Sequence, residues 1–253
     1  IIFTVIFVIC MAVNVVANDK PIMVKYQDNY YFPVAKAYPE TTFGGVFETE
    51  TNYQDPVVKD LINQKGYMIE PIIPFADQTP SVTRTEPYPA PPNQLNWLGT
   101  DDQGRDVLAR VLYGLRVSLL FGLALTIAGS IIGIVVGALQ GYYGGWVDLG
   151  GQRLMEVWGG LPQLFMIIIL VSLFSPSVTV LFGLMLLFGW MGLVGLVRAE
   201  FLRARNFDYV RAAKAMGVSD SKIMFRHILP NAMSSSLSQL PFILTANITA
   251  LTT

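Results

Sequence analysis

Three long stretches of the chain carry no formal charge, and they decide what it can fold into. After Arg116 the next charged residue is Asp148, after Glu156 it is Arg198, and His227 to Thr253 contains no Asp, Glu, Lys or Arg. A bilayer crossing takes about 20 apolar residues, so each run is long enough for at least one membrane span. Composition agrees: 53% of the 253 residues are hydrophobic and 14% charged, against about 25% charged in soluble domains.

The spans can be placed. Residues 1–17 form an apolar stretch, short for a crossing; it lacks a basic flank and so reads as a membrane anchor rather than a cleaved leader. Val117–Leu139 makes a full span. The run from Val157 to Val197 is too long for one helix and is interrupted at Ser175-Pro176-Ser177, which predicts two helices, about 157–174 and 178–197. A fifth begins near Ala232, after Pro230. The chain opens without methionine and stops inside this apolar stretch, so it reads as a piece of a longer protein. The expected class is all-α integral membrane, a multi-helix bundle with five spans in view and an external α+β insertion between the first and second.

Orientation follows from the bases. Residues 18–116 hold nine Lys/Arg against thirteen Asp/Glu, whereas 198–226 hold seven against three. Basic short loops stay on the cytoplasmic side, and three spans separate the two regions. Residues 18–116 are therefore expected outside, with 142–156, 198–230 and the N-terminus inside. The external lobe, 18–96, is rich in proline and aromatic residues, which suggests short strands and turns. One helix is expected there, with Asp55 as N-cap, Pro56 in the first turn and Gly66 just past the end. The lobe either contacts a partner or shields the mouth of a pathway. Residues 97–116 follow, where Val107, Leu108, Val111, Leu112 and Leu115 share a face suited to a helix on the bilayer surface.

Glycines recur every fourth residue at Gly129, Gly133, Gly137 and Gly141. In lipid, apolarity gives helices no reason to associate, and such stripes permit close backbone approach. Gly189, Gly192 and Gly195 are expected to do the same on the fourth span. Chemistry-bearing clusters are absent from the sequence: one Cys (Cys10) and one His (His227) cannot build a Cys/His metal site, and no phosphate-loop motif occurs. The chain is expected to be non-catalytic, without a metal or cofactor of its own.

Between the last two spans lies DYVRAAKAMGVSDSKIMFRHILPNA, residues 208–232. Asp208 is placed to cap a helix over 209–216 that stops at Gly217 in the left-handed conformation. Ser219 is placed to cap a second helix, ended by Pro230. Tyr209, Ala212, Ala213 and Met216 fall at helical spacing on one face, a shallow apolar knob. It either inserts into a cleft on another protein or packs on the chain's own helix ends. The following span is unusually polar, with Ser234, Ser235, Ser238, Gln239 and Asn247, which suits either a wet pathway or hydrogen bonding between helices.

The 208–232 segment resembles the EAA loop of ABC-importer permeases: Arg211-Ala212-Ala213, then Gly217, then Leu229-Pro230 stand at the family's spacing. Arg211 departs from it, since the family usually has Glu there. NWLGTDDQGRDVLARVLYGLRVSLLFG (96–122) and GALQGYYGGWVD (137–148) are similar to the C-type subunit of the dipeptide/oligopeptide/nickel subfamily. The long external insertion, with ANDKP at 17–21 and FGG at 43–45, is most similar to the Yej-type branch. The resemblance implies a six-helix permease in the bacterial inner membrane, for peptides and possible peptide-antibiotic conjugates. It implies pairing with a homologous B-type permease and delivery by a periplasmic peptide-binding protein. It also implies an ABC ATPase, with two domains fused in one chain in Yej-type systems, holding ATP and Mg. A channel, or an anchored binding protein acting through its lobe, are the alternatives; nucleic acid is not an expected partner.

Overall fold

The computed structural model describes residues 2–80, 87–175 and 177–252; the side chains of Ile2, Phe3, Ser235 and Thr252 also lie outside the described set. The chain divides into two compact units, Ile1–Val117 and Ser118–Thr253.

In the first unit, helix α1 (Ile2–Met11) and the single turn α2 (Val13–Val16) together fall short of the length a crossing needs. Val13 and Ala17 are buried with Ile73, Phe75 and Ala109. Tyr113 Oη donates to the Ala17 carbonyl at 2.9 Å, and Arg116 donates to Asn14 Oδ1 at 2.9 Å. A three-stranded antiparallel sheet follows, β1 (Met23–Tyr26), β2 (Asn29–Tyr31) and later β3 (Gly66–Ile69), in the order β2-β1-β3. The β1–β2 turn places Gln27 and Asp28 at φ 47° and 66°, the double positive φ of a type I′ two-residue hairpin.

Helix α3 (Pro56–Lys65) starts at Asp55, whose Oδ1 accepts from the Val57 amide at 2.8 Å, and buries Val58 and Ile62 against the sheet. Gly66 is there for a different reason from a helix stop. Its backbone is extended and opens β3, and a Cβ on it would stand 1.8 Å from the Lys25 carbonyl oxygen. Phe43 closes a 3-10 turn (Glu40–Phe43) and is wholly buried. It meets Tyr26, Tyr31 and Tyr53 edge-on, at centroid distances of 5.6, 5.3 and 5.8 Å.

Helix α4 (Val107–Tyr143) is continuous over 37 residues. The surface helix expected over 97–116 is not a separate element: from Val107 on it is the first part of the same helix as the second span. Nothing near Arg116 breaks it, because Gly114 is an isolated glycine among strong helix formers. Its start is fixed by Asp106, whose Oδ1 accepts from the Ala109 amide at 2.7 Å and whose Oδ2 accepts from Asn96 Nδ2 at 2.8 Å.

In the second unit, α5 (Gly145–Gly159) and α6 (Gln163–Leu173) meet at a 75° bend across residues 160–162. Most of the stretch over 142–156 expected on the inside belongs to α5, and the expected helix over 157–174 breaks at Pro162, whose fixed φ and missing N–H end one helix and begin the next. Of the turn expected at 175–177, Pro176 lies outside the described residues, and Ser177 caps α7 (Val178–Gly189) by accepting from the Val180 amide at 3.1 Å. A 3-10 turn (Trp190–Leu193) leads into α8 (Val194–Ala204), seven residues beyond the expected end of that span. Then come α9 (Asp208–Ala215), α10 (Asp220–Lys222), a π-helical turn (Ile223–Ile228), α11 (Leu229–Leu237) and α12 (Leu240–Thr252).

Among the described residues, 107–143 and 178–204 are long and apolar enough to cross a membrane, and the bent pair makes a third if taken as one span; α12 is apolar but shorter. The first and fifth of the five expected spans do not reach that length. The tandem glycines of α4 lie on the α7–α8 segment. An added Cβ would stand 2.5 Å from Trp190 O at Gly133, 2.8 Å from Val194 O at Gly137 and 2.5 Å from Arg198 O at Gly141. At Gly129 the nearest atoms, of Gly189, are at 3.5 Å, an ordinary contact. Gly189, Gly192 and Gly195 have nothing within 4 Å of an added Cβ. The second glycine series is thus not a facing stripe; its helix presents backbone carbonyls to the first.

Candidate functional site

The 208–232 segment is a bent helical hairpin. Phe207, in extended conformation, stands at the N-cap of α9 without a side-chain cap, and Asp208 is the first helical residue rather than the cap. The helix ends as the glycine predicts. Gly217 has φ +78°, its amide donates to Lys214 O at 3.0 Å, and the Val218 amide donates to Ala213 O at 3.1 Å, which together form a Schellman closure. An added Cβ at Gly217 would touch nothing within 4 Å. The requirement is conformational and not steric.

Ser219 precedes α10 but makes no side-chain cap. Pro230 does not end the second helix; it is the second residue of α11, and the helical path runs through it. The π turn before it accounts for this. Proline has no N–H for the carbonyl four residues back and its ring collides with that carbonyl, and the wider π turn over 223–228 moves the carbonyls out of register.

The apolar stripe divides between two faces. Ala213 is buried, 4% exposed, as is Val210 at 2%, and both join Phe201, Ala204, Ile223, Met224 and Ile228 in one core with Leu229 packed against it. Tyr209, Ala212 and Met216 point outward, Met216 at 76% exposure, and Phe207 lies beside Tyr209 with rings 6.0 Å apart. Arg211 is exposed, and no ion pair among the described residues holds it. Pro230 is also exposed.

Polar contacts that sequence reasoning missed join the helix ends nearby. Asp148 on α5 receives a two-pronged ion pair from Arg198 on α8, with Nη2 to Oδ2 at 2.7 Å. Gln152 donates to Gln140 Oε1 at 2.9 Å. Tyr142, at the end of α4, donates through its hydroxyl to Asp220 Oδ1 at 2.6 Å. One signal was available: Asp148 and Arg198 are the residues that end the two internal charge-free runs.

The polar residues of the last span do not form one lining. Asn247 donates to Thr126 Oγ1 of α4 at 2.9 Å, a bond between helices. Ser234 bonds the Asn231 carbonyl of its own helix; Ser234, Ser238 and Gln239 are exposed, and the side chain of Ser235 lies outside the described residues. A cavity of about 570 Å³ is lined by Gln163, Leu164, Ile167, Leu181, Met185 and Leu251 among others, and by none of Ser234, Ser238, Gln239 and Asn247. Among the described residues no group of three or more Cys, His, Asp or Glu is placed to hold a metal ion.

Residues 117–253 match the family described as the binding-protein-dependent transport system inner membrane component. The chain belongs to that family. It is 52% identical over 251 residues to the inner membrane ABC transporter permease protein YejE of Escherichia coli K12, covering 99% of this chain and 74% of that one. It is 48% identical over 274 residues to the peptidoglycan transport system permease protein YejE of Agrobacterium fabrum, covering 99% and 72%. To the dipeptide transport system permease protein DppC of Bacillus subtilis it is 36% identical over 160 residues, 63% of this chain and 50% of the relative. The chain is thus an inner-membrane permease component, and its helices include ones long and apolar enough to cross a membrane.

Proposed function

We propose that this permease is one half of the transmembrane path of an ATP-driven importer of peptides, and that α9 is where the motor engages it. The reading rests on one observation above the rest: Val210 and Ala213 fix α9 to the core from behind, leaving Tyr209, Ala212 and Met216 free in front. A helix held on one face and apolar on the other suits insertion into a cleft. The relatives' names supply the cargo class, peptides. The partners on this reading are a homologous B-type permease, an ABC ATPase that binds ATP and Mg and does the hydrolysis, and a periplasmic peptide-binding protein.

The excess of bases over 198–226 puts α9 on the cytoplasmic side and 18–116 in the periplasm. Closure of the ATPase then displaces α9 and biases the bundle toward an outward-open state. The loop transmits this bias only to the extent that it binds the closed and open ATPase with different affinity. Ser234 and Gln239, exposed on the polar stretch before α12, offer hydrogen bonds to a passing peptide backbone, while Asn247 serves helix packing.

The test is a cross-link. With Cys10→Ala and Met216→Cys in the full complex, a disulfide to cysteines along the ATPase cleft is expected, and its yield should change with ATP. Labelling of Met216→Cys by membrane-impermeant thiol reagents from the periplasmic side would overturn both the orientation and the docking role.

A further inference from the structure

The apolar core beneath α9 holds the hairpin in place, but hydrophobic contact is non-directional and lets surfaces slide. Transmission of a push needs contacts that fix direction as well. Tyr142 has that character. The residue is 8% exposed and belongs to the same core as Val210, Ala213 and Ile223. Its hydroxyl donates at 2.6 Å to Asp220 Oδ1, on the first residue of α10. Its backbone carbonyl accepts from Arg205 Nη1, at 3.4 Å, on the residue that follows α8. The Arg205 guanidinium lies so close to Gly144 that an added Cβ there would stand 2.2 Å from Nη1. One residue thus ties the end of α4 to the end of α8 and to the second arm of the hairpin.

We infer that Tyr142 is the positioning residue through which movement of the hairpin reaches α4, with Asp220 as its acceptor. This rests on the coupling role proposed above. A hydrogen bond to a carboxylate is worth more than a neutral one, and breaking it in a partly buried place strands the charge. Helix α4 and the hairpin are therefore expected to move together. Without the bond, α9 can be displaced while α4 stays behind, and ATP is spent without transport.

The experiment uses the complete transporter in liposomes, with radiolabelled short peptides from a casein hydrolysate. Peptide uptake and ATP hydrolysis are read on the same samples. Tyr142→Phe keeps the ring and removes the donor. The expected result is a roughly tenfold fall in peptide moved per ATP, with assembled complex and ATP hydrolysis retained. Asp220→Ala should reproduce it, the double variant should be no worse than either single one, and Asp220→Asn, which keeps a weaker, neutral acceptor oxygen, should fall between Asp220→Ala and the wild type. Should Tyr142→Phe fail to assemble, the Asp220→Ala and Asp220→Asn pair decides alone: equal ratios overturn the inference. A wild-type ratio in Tyr142→Phe overturns it as well. The Met216→Cys cross-link, run in parallel, separates the two levels. No nucleotide-sensitive cross-link brings down the docking role and this inference together. A normal cross-link with a normal Tyr142→Phe ratio removes Tyr142 alone.

Discussion

The two compact units solve the problem of cohesion with opposite materials. The first builds its core from large rings, with Phe43 set among Tyr26, Tyr31 and Tyr53. The second brings α4 against the α7–α8 segment by leaving side chains out, at Gly133, Gly137 and Gly141. The difference follows from the solvent each sequence is suited to. Against water, burying a large apolar side chain stabilises by about 1.5–3 kcal/mol, so ring area is the effective currency. Against hydrocarbon that gain vanishes, and close backbone contact takes its place.

The comparison can be broken from either side. Phe43→Ala removes the ring that all the lobe's aromatic neighbours share, and should destabilise the first unit by about 4 kcal/mol. Thermal unfolding followed by the near-ultraviolet signal of the tyrosines checks it; a loss under about 1 kcal/mol would mean the rings repack without it. The glycine stripe should respond in a graded way. Gly141→Ala pushes a methyl to within 2.5 Å of Arg198 O and 2.6 Å of Phe201 Cβ, an overpacking expected to cost about 2–3 kcal/mol. Gly129→Ala meets only ordinary contacts and should cost little. Melting temperatures in detergent rank the two, and equal effects would show that helix propensity, not backbone approach, sets the response.

A third prediction concerns polar clamps, which the first unit uses in the turn before α4. Asp101 Oδ1 accepts from the amides of Gln103 and Arg105, each at 2.9 Å, and Oδ2 accepts from Arg105 Nε at 2.8 Å. Burial disfavours the charged form, but these donors and the Arg105 charge outweigh it and hold the carboxyl at about 2, below its ordinary 3.8. A lowered pKa in the folded state gives stability that is present above about pH 4 and lost as pH falls toward 2. Asp101→Asn should remove about 1–2 kcal/mol at neutral pH and abolish that pH dependence. Amide exchange at Gln103 and Arg105 measures it; unchanged protection in the variant would mean the turn holds without the charge.

What was legible in the sequence were features that a residue carries by itself. Charge-free runs mark apolar helices, Asp55-Pro56 marks the start of α3, and Gly217 marks the end of α9, because each depends on the chain within a turn of it. What was not legible depends on more than the residue itself, on neighbouring turns or on distant partners. Pro230 reads as a stop, yet the π turn over 223–228 carries the helix through it. Tyr209, Ala212, Ala213 and Met216 share a face by spacing, but the core under α9 claims Ala213 and leaves the other three. Gly66 stands just past the end of α3 as expected, but the Lys25 carbonyl that excludes a side chain there lies forty-one positions earlier. Tyr142 and Asp220 carry no local mark at all; only the fold brings them together.

A stability effect no larger than that at Asp101 best separates shape from chemistry at the candidate docking site. Gly217 needs a positive φ and has open space where a side chain would go. A β-branched residue in that conformation costs roughly 1–2 kcal/mol, whereas Asn tolerates it. Gly217→Val should therefore fray the Schellman closure, release Met216 from its fixed direction and lower the cross-link yield to the ATPase cleft. Gly217→Asn should preserve both. If the two variants cross-link alike, the geometry of the helix end is not what presents Tyr209, Ala212 and Met216, and the core contacts of Val210 and Ala213 suffice. If Gly217→Asn fails as Gly217→Val does while both retain the closure by amide exchange at Gly217 and Val218, the ATPase surface itself occupies the space beside Gly217, and that glycine belongs to the interface.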